Sequence, residues 1–301
     1  TQTRTAFIAI VGKPNVGKSS ILNRLLGQKI AIVSDKPQTT RTRIMGVLTK
    51  DETQLVFTDT PGFHKPKTKL GEKMVKAVGD SISGVDACLF VVEPKGELRP
   101  TEEELLKKFA QQKARVVLAI NKVDTIPEEE DLMKRILEFS QLYNFEAIVP
   151  VSAVKGDNME PLLEELMKLA EDGYHFFPED TLTDQPERVL AAEMIREKLL
   201  RNLDKEIPHG IAVGLERFFE RDTALGEPII EIDAVIYCEK DSHKGIIIGK
   251  GGAMLKKIGT LARTDIEEFF GCKCNLKLWV KVKEDWRNRD GLIHSFGLDM
   301  K

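Results

Sequence analysis

Gly12-Lys13-Pro14-Asn15-Val16-Gly17-Lys18-Ser19 spells G-x-x-x-x-G-K-[ST] between an apolar run (residues 6–11) and a helix-periodic segment (19–26). Glycines at both ends let the backbone curl, so that successive N–H groups face phosphate oxygens. The helix that follows turns its partial positive end toward the same anion. On this reading Gly12, Lys13, Pro14, Asn15, Val16, Gly17, Lys18, Ser19 and Ser20 cradle a polyphosphate. Lys18 reaches the β- and γ-phosphates, and the Ser19 hydroxyl binds Mg²⁺.

Outward from this stretch, apolar runs at 55–59, 87–92, 116–121 and 147–152 alternate with helix-periodic segments at 70–83, 102–113, 129–143 and 159–170. Continuous apolar runs read as strands buried on both faces, and strand–helix alternation calls for right-handed crossovers. The expected fold is α/β, a doubly wound, mostly parallel sheet. Residues 43–49 add a strand with no helix before it, which fits an antiparallel edge. Asp59-Thr60-Pro61-Gly62 ends the second parallel strand: Asp59 can hold the metal through water, and the Gly62 N–H can sense a γ-phosphate. Asn121-Lys122-Val123-Asp124 ends a later one. The Asp124 carboxylate can accept from guanine N1–H and N2–H₂, a donor pair adenine lacks, and unpaired buried polar groups reject the wrong ligand. Lys122 would lie along the base and Asn121 would tie its loop to the glycine loop. Ser152-Ala153-Val154 can offer a backbone N–H to guanine O6.

These blocks, in this order, resemble the translation-factor-related GTPases. The remaining block, a γ-phosphate sensor, would fall in Pro37-Gln38-Thr39-Thr40-Arg41-Thr42-Arg43, where Thr40 or Thr39 binds Mg²⁺ only when the γ-phosphate is present. Lys18, Thr40, Gly62 and Asn15 are therefore the expected catalytic set. Phe63 stands where many GTPases carry the glutamine that orients water. Unaided hydrolysis should be slow, and the neighbouring His64 is a bystander. Asn15 resembles the P-loop asparagine of potassium-stimulated GTPases; it either holds K⁺ or merely shapes the loop.

Residues 178–186 lapse into polar turn chemistry and read as a linker between a nucleotide-binding domain (1–177) and a second domain (187–301). The second has the order α-β-β-α-β, a smaller α+β unit, with Ile246-Ile247-Ile248-Gly249-Lys250-Gly251-Gly252 opening its second helix (253–270). Small residues there permit close approach of a nucleic-acid backbone, whose phosphates the helix end and Lys250 favour. Leu255, Ile258, Leu261, Ala262, Ile266 and Phe269 form the expected core stripe. Lys244, Lys250, Lys256, Lys257 and Arg263 lie in a window without an acid. In the last strand Leu276, Leu278, Val280 and Val282 alternate with Lys277, Trp279, Lys281 and Lys283, either a ladder for a single strand or a solvated face. The expected RNA-binding set is Ile248, Gly249, Lys250, Gly251, Gly252, Lys256, Lys257, Trp279 and Lys281.

This second half resembles the prokaryotic (type II) KH domain, and the whole chain resembles the Era-type GTPases. Gln38-Thr39-Thr40-Arg41, Arg196-Glu197-Lys198-Leu199 and Leu278-Trp279-Val280-Lys281-Val282-Lys283 carry that likeness. The resemblance implies a GTPase using GTP/GDP and Mg²⁺, which binds the 3′ end of small-subunit ribosomal RNA and helps mature the small subunit. It also implies a cytoplasmic protein, a monomer, with some inner-membrane association. A pure RNA-binding assembly factor, with GTP structural, is the alternative that Phe63 favours.

Composition agrees. The 301 residues are 42 % apolar and 31 % charged, with a net charge of −3, so any basic surface is local. No run approaches the ~20 apolar residues of a membrane span, and no signal peptide is visible. Cys88, Cys238, Cys272 and Cys274 are too irregular for a disulfide framework and read as reduced thiols.

Overall fold

The computed structural model describes residues 2–35, 40–41, 44–60, 69–205 and 207–298. The first half runs β1 (Arg4–Gly12), α1 (Lys18–Leu26), β2 (Ile44–Lys50), β3 (Thr53–Asp59), α2 (Lys69–Ser83), β4 (Ala87–Val92), α3 (Pro100–Gln112) and β5 (Val116–Ile120). It continues through α4 (Glu129–Leu142), β6 (Ala147–Pro150), α5 (Met159–Met167) and β7 (Glu171–Asp172). The sheet order is β2-β3-β1-β4-β5-β6, with β7 pairing antiparallel to the start of β1. Only β2 among the six ordered strands runs antiparallel, at the edge, as its sequence suggested. Every residue of β4 and β5 is buried, because helices cover both faces. On one face Ile21, Leu22, Leu162 and Leu166 pack on Ile8 and Ile10; on the other, Leu105, Phe109 and Phe139 pack on Phe90 and Leu118. Parallel strands align their carboxyl ends, so the loops after β1, β3, β5 and β6 gather at one rim.

The second half contains α6 (Glu187–Asn202), β8 (Ala212–Asp222), β9 (Pro228–Cys238), α7 (Asp241–Ile248), α8 (Ala253–Phe270), β10 (Lys273–Val282) and α9 (Asp290–Ser295). Its sheet order is β10-β9-β8, with β10 parallel to β9. Helices α6, α7 and α8 cover one face through Met194, Leu199, Ile247, Ile258, Ala262 and Ile266. Two expectations need correction. The glycine cluster is preceded by a helix, α7, which is only eight residues long and whose isoleucine run conceals it. Leu261 is 39 % exposed and leaves the core stripe, which follows the i, i+4 ridge 258–262–266.

The segment read as the linker, 178–186, is stitched to the first sheet. Val47 N–H donates to the Leu182 carbonyl (2.8 Å), and the Thr183 hydroxyl donates to the Met45 carbonyl (2.6 Å), so these residues cover the open side of β2. Unpaired strand edges invite association, and this one is closed internally. Three thiols, Cys88, Cys238 and Cys274, are buried. Burial pushes those of Cys88 and Cys274 up to about 12, which leaves them protonated and inert.

Candidate nucleotide site and nucleic-acid interface

The glycine loop is fixed by close approach. A Cβ on Gly12 would lie 2.5 Å from the Val91 carbonyl oxygen, and one on Gly17 would lie 2.1 Å from Asn121 Nδ2. Gly17 also has φ +101°, which an L side chain rarely adopts. It caps α1, whose first turn carries neither a side-chain cap nor an acid, so the positive end of the helix stays available to an anion. Asn121 does what its position suggested: Nδ2 donates to the Val16 carbonyl (2.9 Å), and Oδ1 accepts from the Ala153 N–H (3.1 Å). One buried amide thus ties three loops together. The Ala153 N–H would have to be shared between Asn121 and a base oxygen.

Lys122 lies across the glycine loop, its ammonium donating to the Asn15 carbonyl (2.5 Å) and pairing with Glu93 (3.3 Å). Asp124 is exposed, and its Oδ1 accepts from the buried Ser152 hydroxyl (2.7 Å), which orients the carboxylate. Val154 is 73 % exposed. Arg24 holds this turn from below through the Ala153 (2.9 Å) and Val154 (2.7 Å) carbonyls.

Lys18 is buried and donates to the Gly12 (3.2 Å) and Lys13 (2.7 Å) carbonyls. Burial lowers its ammonium to about 8, outweighing the pull of Asp59. Asp59 is fully buried. Its Oδ2 accepts from the Ser19 hydroxyl (2.6 Å), and burial pushes the carboxyl up to about 6 despite that bond and the nearby Lys18. Ser19 Oγ lies 3.1 Å from Thr40 Oγ1. Asp59 Oδ1 is buried with no partner among the described residues. Three converging oxygens, one of them on an unsatisfied buried carboxylate, suit a hard cation that prefers oxygen, and Mg²⁺ fits. Held there by Ser19, Thr40 and Asp59, it would supply positive charge against the negative charge that develops in phosphoryl transfer. Of the two threonines proposed for the sensor, Thr40 is at the set, whereas Thr39 lies outside the described residues. So do Pro61, Gly62, Phe63 and His64. Thr60 lies buried beside Asp59, its hydroxyl donating to the Ile10 carbonyl (2.8 Å). Asn15 has φ +64° and donates through Nδ2 to the Asp35 carbonyl (2.7 Å), leaving Oδ1 as its acceptor atom.

Residues that sequence reasoning passed over support this rim. Lys13 bridges to the fully buried Glu102 on α3 (2.9 Å), which also faces Arg135 on α4 (4.0 Å). Glu102 follows Pro100 in the first turn of its helix and reads as an ordinary helix-start acid; no sequence signal separates the two roles.

In the second half, Gly249, Gly251 and Gly252 have φ of +76°, +59° and +81° and join α7 to α8. A Cβ on Gly249 would meet Met254 at 2.7 Å, whereas Gly251 and Gly252 have nothing within 4 Å. Lys250, Lys256 and Lys257 are exposed around this loop, and Ile248 is half-buried behind it. Trp279 and Lys281 stand elsewhere. The strand alternates as expected, but Val280 faces the helices, so Trp279 and Lys281 project from the opposite side of the sheet. Lys281 pairs with Glu216 there (3.3 Å), and Arg217 with Asp233 (3.6 Å). That face carries mixed charge, and the sheet separates it from the glycine loop.

A phosphate loop, a Ser–Asp–Thr oxygen set around a buried carboxylate and an oriented aspartate, followed by a helix–GxxG–helix unit on a three-stranded sheet, define a P-loop GTPase joined to a KH domain. Residues 7–122 match the family model described as 50S ribosome-binding GTPase, and residues 206–287 match the KH domain model. The chain is 48 % identical over 298 residues to the GTPase Era of Clostridioides difficile (strain 630), covering 99 % of both. It is 51 % identical over 294 residues to that of Ruminiclostridium cellulolyticum, covering 98 % of this chain and 97 % of the relative. Two solved structures align at a TM-score of 0.93 and 38 % identity, over 99 % of this chain and 100 % of theirs. One is an Aquifex aeolicus Era variant bound to GDP·AlF4⁻; the other is Era in complex with MgGDPNP and nucleotides 1506–1542 of 16S ribosomal RNA. The chain belongs to the Era family of GTPases, and it is a GTP-hydrolysing enzyme.

Proposed function

We propose that this chain is a Mg²⁺-dependent switch, in which GTP binding and hydrolysis control its hold on single-stranded RNA at the 3′ end of small-subunit ribosomal RNA during small-subunit assembly. The observation that carries this reading is an open glycine loop rimmed by lysines on the same chain as a complete Ser19–Thr40–Asp59 oxygen set. The full-length likeness to an Era bound to MgGDPNP and a 16S segment supports it. In this reading Lys18, Ser19, Thr40 and Asp59 serve the phosphates and the metal, with Gly62 at the γ-phosphate. Asn121, Lys122, Asp124 and the 152–154 turn serve guanine. Gly249 to Gly252, Lys250, Lys256 and Lys257 clamp the RNA backbone, whereas Trp279 and Lys281 would meet RNA only where it passes around the β10 edge. The domains are 1–177 and 187–301. Cytoplasmic residence, a monomeric state and peripheral inner-membrane contact rest on the resemblance alone; no helix among the described residues is long and apolar enough to cross a membrane.

A titration of single-stranded RNA at fixed salt, with GDP and with a non-hydrolysable GTP analogue, tests the coupling. The GTP form should bind more tightly, by a factor that RNA returns to the nucleotide, typically ~5–150-fold. Equal dissociation constants would leave two independent domains and favour the second reading, an RNA-binding factor with structural GTP, which Phe63 supports.

A further inference from the structure

Thr40 and Arg41 are adjacent in sequence but serve different domains. Thr40 turns its hydroxyl to Ser19 at the metal set. Arg41, 2 % exposed, enters the KH domain: Nη2 donates to the His209 carbonyl (2.8 Å), and Nη1 donates to the Ile211 carbonyl. Its guanidinium also lies over the Trp286 ring, 5.4 Å from the centroid. Trp286 is itself fully buried and fixed by donation to the Gly210 carbonyl (2.8 Å). No carboxylate among the described residues comes within ion-pair distance of Arg41, although two ion pairs, Arg196–Glu193 and Arg287–Glu239, flank it. A buried cation met, among the described residues, only by carbonyls and a ring face is a poor source of stability, because desolvation opposes it. Such a seat does better at fixing one conformation than at strengthening the fold.

The helix next in sequence after the Asp59 strand, α2, meets the same place. Leu70, at the start of α2, is fully buried against Trp286 and Ile293, and Lys69 and Lys73 reach Asp290 (3.1 and 3.8 Å). Trp286 and α9 therefore stand where segments following both the Thr40 loop and the Asp59 strand converge.

We propose that Arg41 is a positioning residue for the GTPase site, and that the KH domain, through the 209–211 carbonyls and Trp286, seats Thr40 on the metal set and so selects the GTP-bound arrangement in cis. This rests on Thr40 being the metal ligand. Seating Arg41 and engaging Thr40 are one event, since a single peptide unit joins them. Loss of the γ-phosphate frees Thr40 and removes what offsets the desolvation of Arg41.

The test uses the full-length chain and equilibrium binding of Mg²⁺–GTP analogue and of GDP. Arg41→Ala should weaken the analogue by roughly 5–150-fold and leave GDP within about twofold. Arg41→Lys, which cannot fork onto two carbonyls, should fall between. Thr40→Ala should weaken the analogue, and the Arg41→Ala/Thr40→Ala pair should lose little more than either alone. In a Trp279→Phe background, emission from the remaining Trp286 should change on adding analogue but not GDP, and Arg41→Ala should abolish that change. If Arg41→Ala and Arg41→Lys affect both nucleotides equally or neither, while Thr40→Ala stays analogue-selective, the positioning role is overturned and the metal site stands. If Thr40→Ala shows no selectivity, the metal-ligand assignment falls and takes this proposal with it.

Discussion

The two glycine loops are built alike and constrained in opposite ways. Each opens a helix, and each has at least one glycine at positive φ. In the first, Gly12 and Gly17 are glycine because protein atoms stand where a side chain would be, 2.5 and 2.1 Å from a Cβ. In the second, only the leading Gly249 is crowded in that way, and Gly251 and Gly252 face open space. The same sequence device therefore means a finished, interlocked cradle in one domain and a backbone left bare for another molecule in the other. Motif spelling alone does not distinguish these; the space above the Cα does.

The largest effect that would break this contrast is at Gly17. Gly17→Ala must displace Asn121 and hold φ +101° at once. That releases the tie among the three nucleotide loops. Nucleotide affinity should drop at least ~1,000-fold, equivalent to about 4 kcal/mol, by fluorescent GDP titration. Binding within tenfold of the parent would show that the interlock is dispensable.

Next comes Gly251. Gly251→Ala should cost only about 1–2 kcal/mol of KH-domain stability, the ordinary penalty for a side chain in the left-handed region. Gly251→Asp adds an anion facing the phosphate path. It should weaken single-stranded RNA binding roughly 10–150-fold, the range for charged contacts, with unchanged GDP affinity and an unchanged far-UV spectrum. If Gly251→Ala alone unfolds the KH domain, the loop is packed rather than open.

Asn15 sharpens the contrast from the other side. Its Nδ2 is spent on the Asp35 carbonyl, so only Oδ1 is left to meet a cation near the phosphates. Positive charge there would act where an arginine finger does in other GTPases. Replacing K⁺ by Na⁺ should slow multiple-turnover hydrolysis about tenfold, a ~1.4 kcal/mol change in barrier, and Asn15→Ala should be nearly indifferent to the exchange. Equal rates in both salts would make Asn15 a loop-shaping residue only.

What could be read from the chain beforehand follows the range of each interaction. The P-loop, Asp59, Asn121–Asp124 and the strand–helix alternation are local patterns set by a turn, a strand end or a helix face, and each lies where its spelling implied. Helix α7 stayed hidden because eight residues with Gly245 and three isoleucines carry no helical period. The seam between the domains was illegible for a different reason. Arg41 finds its carbonyls 168 and 170 residues away. Glu197, fully buried, collects Lys29 (2.5 Å), Lys198 (3.1 Å), Arg201 (3.5 Å) and the Val33 N–H (2.9 Å) from both halves. In sequence these are ordinary helix and loop charges, and only the docking of the domains gives them partners. The placement of Trp279 shows the same limit: its alternation was correct, but which side of the sheet held the glycine loop depended on α7.

The smallest expected effect is a pH dependence written into the metal set. Burial raises the Asp59 carboxyl to about 6, so in the free protein the ionised form carries a penalty above that value. The penalty is relieved as pH falls through 6 toward 3.8, the ordinary value, because the folded state then binds more protons than the unfolded chain. Mg²⁺ held by Asp59 would reverse the preference, since a metal binds the ionised carboxylate and competes with the proton. Metal-dependent affinity for the GTP analogue should therefore weaken as pH falls through about 6, and a pKa of about 6 gives roughly a fourfold loss between pH 7 and 5.5. Lys18, lowered to about 8, sets the other limit: above it the ammonium loses charge and phosphate affinity declines. The nucleotide's own γ-phosphate also titrates near the lower limit, which makes a single profile insufficient. Asp59→Asn removes the protein's share and keeps the nucleotide's, so the ratio of the two profiles isolates Asp59. A ratio that stays flat from pH 5.5 to 7 would mean that Asp59 is already ionised in the free protein, held by something other than the metal.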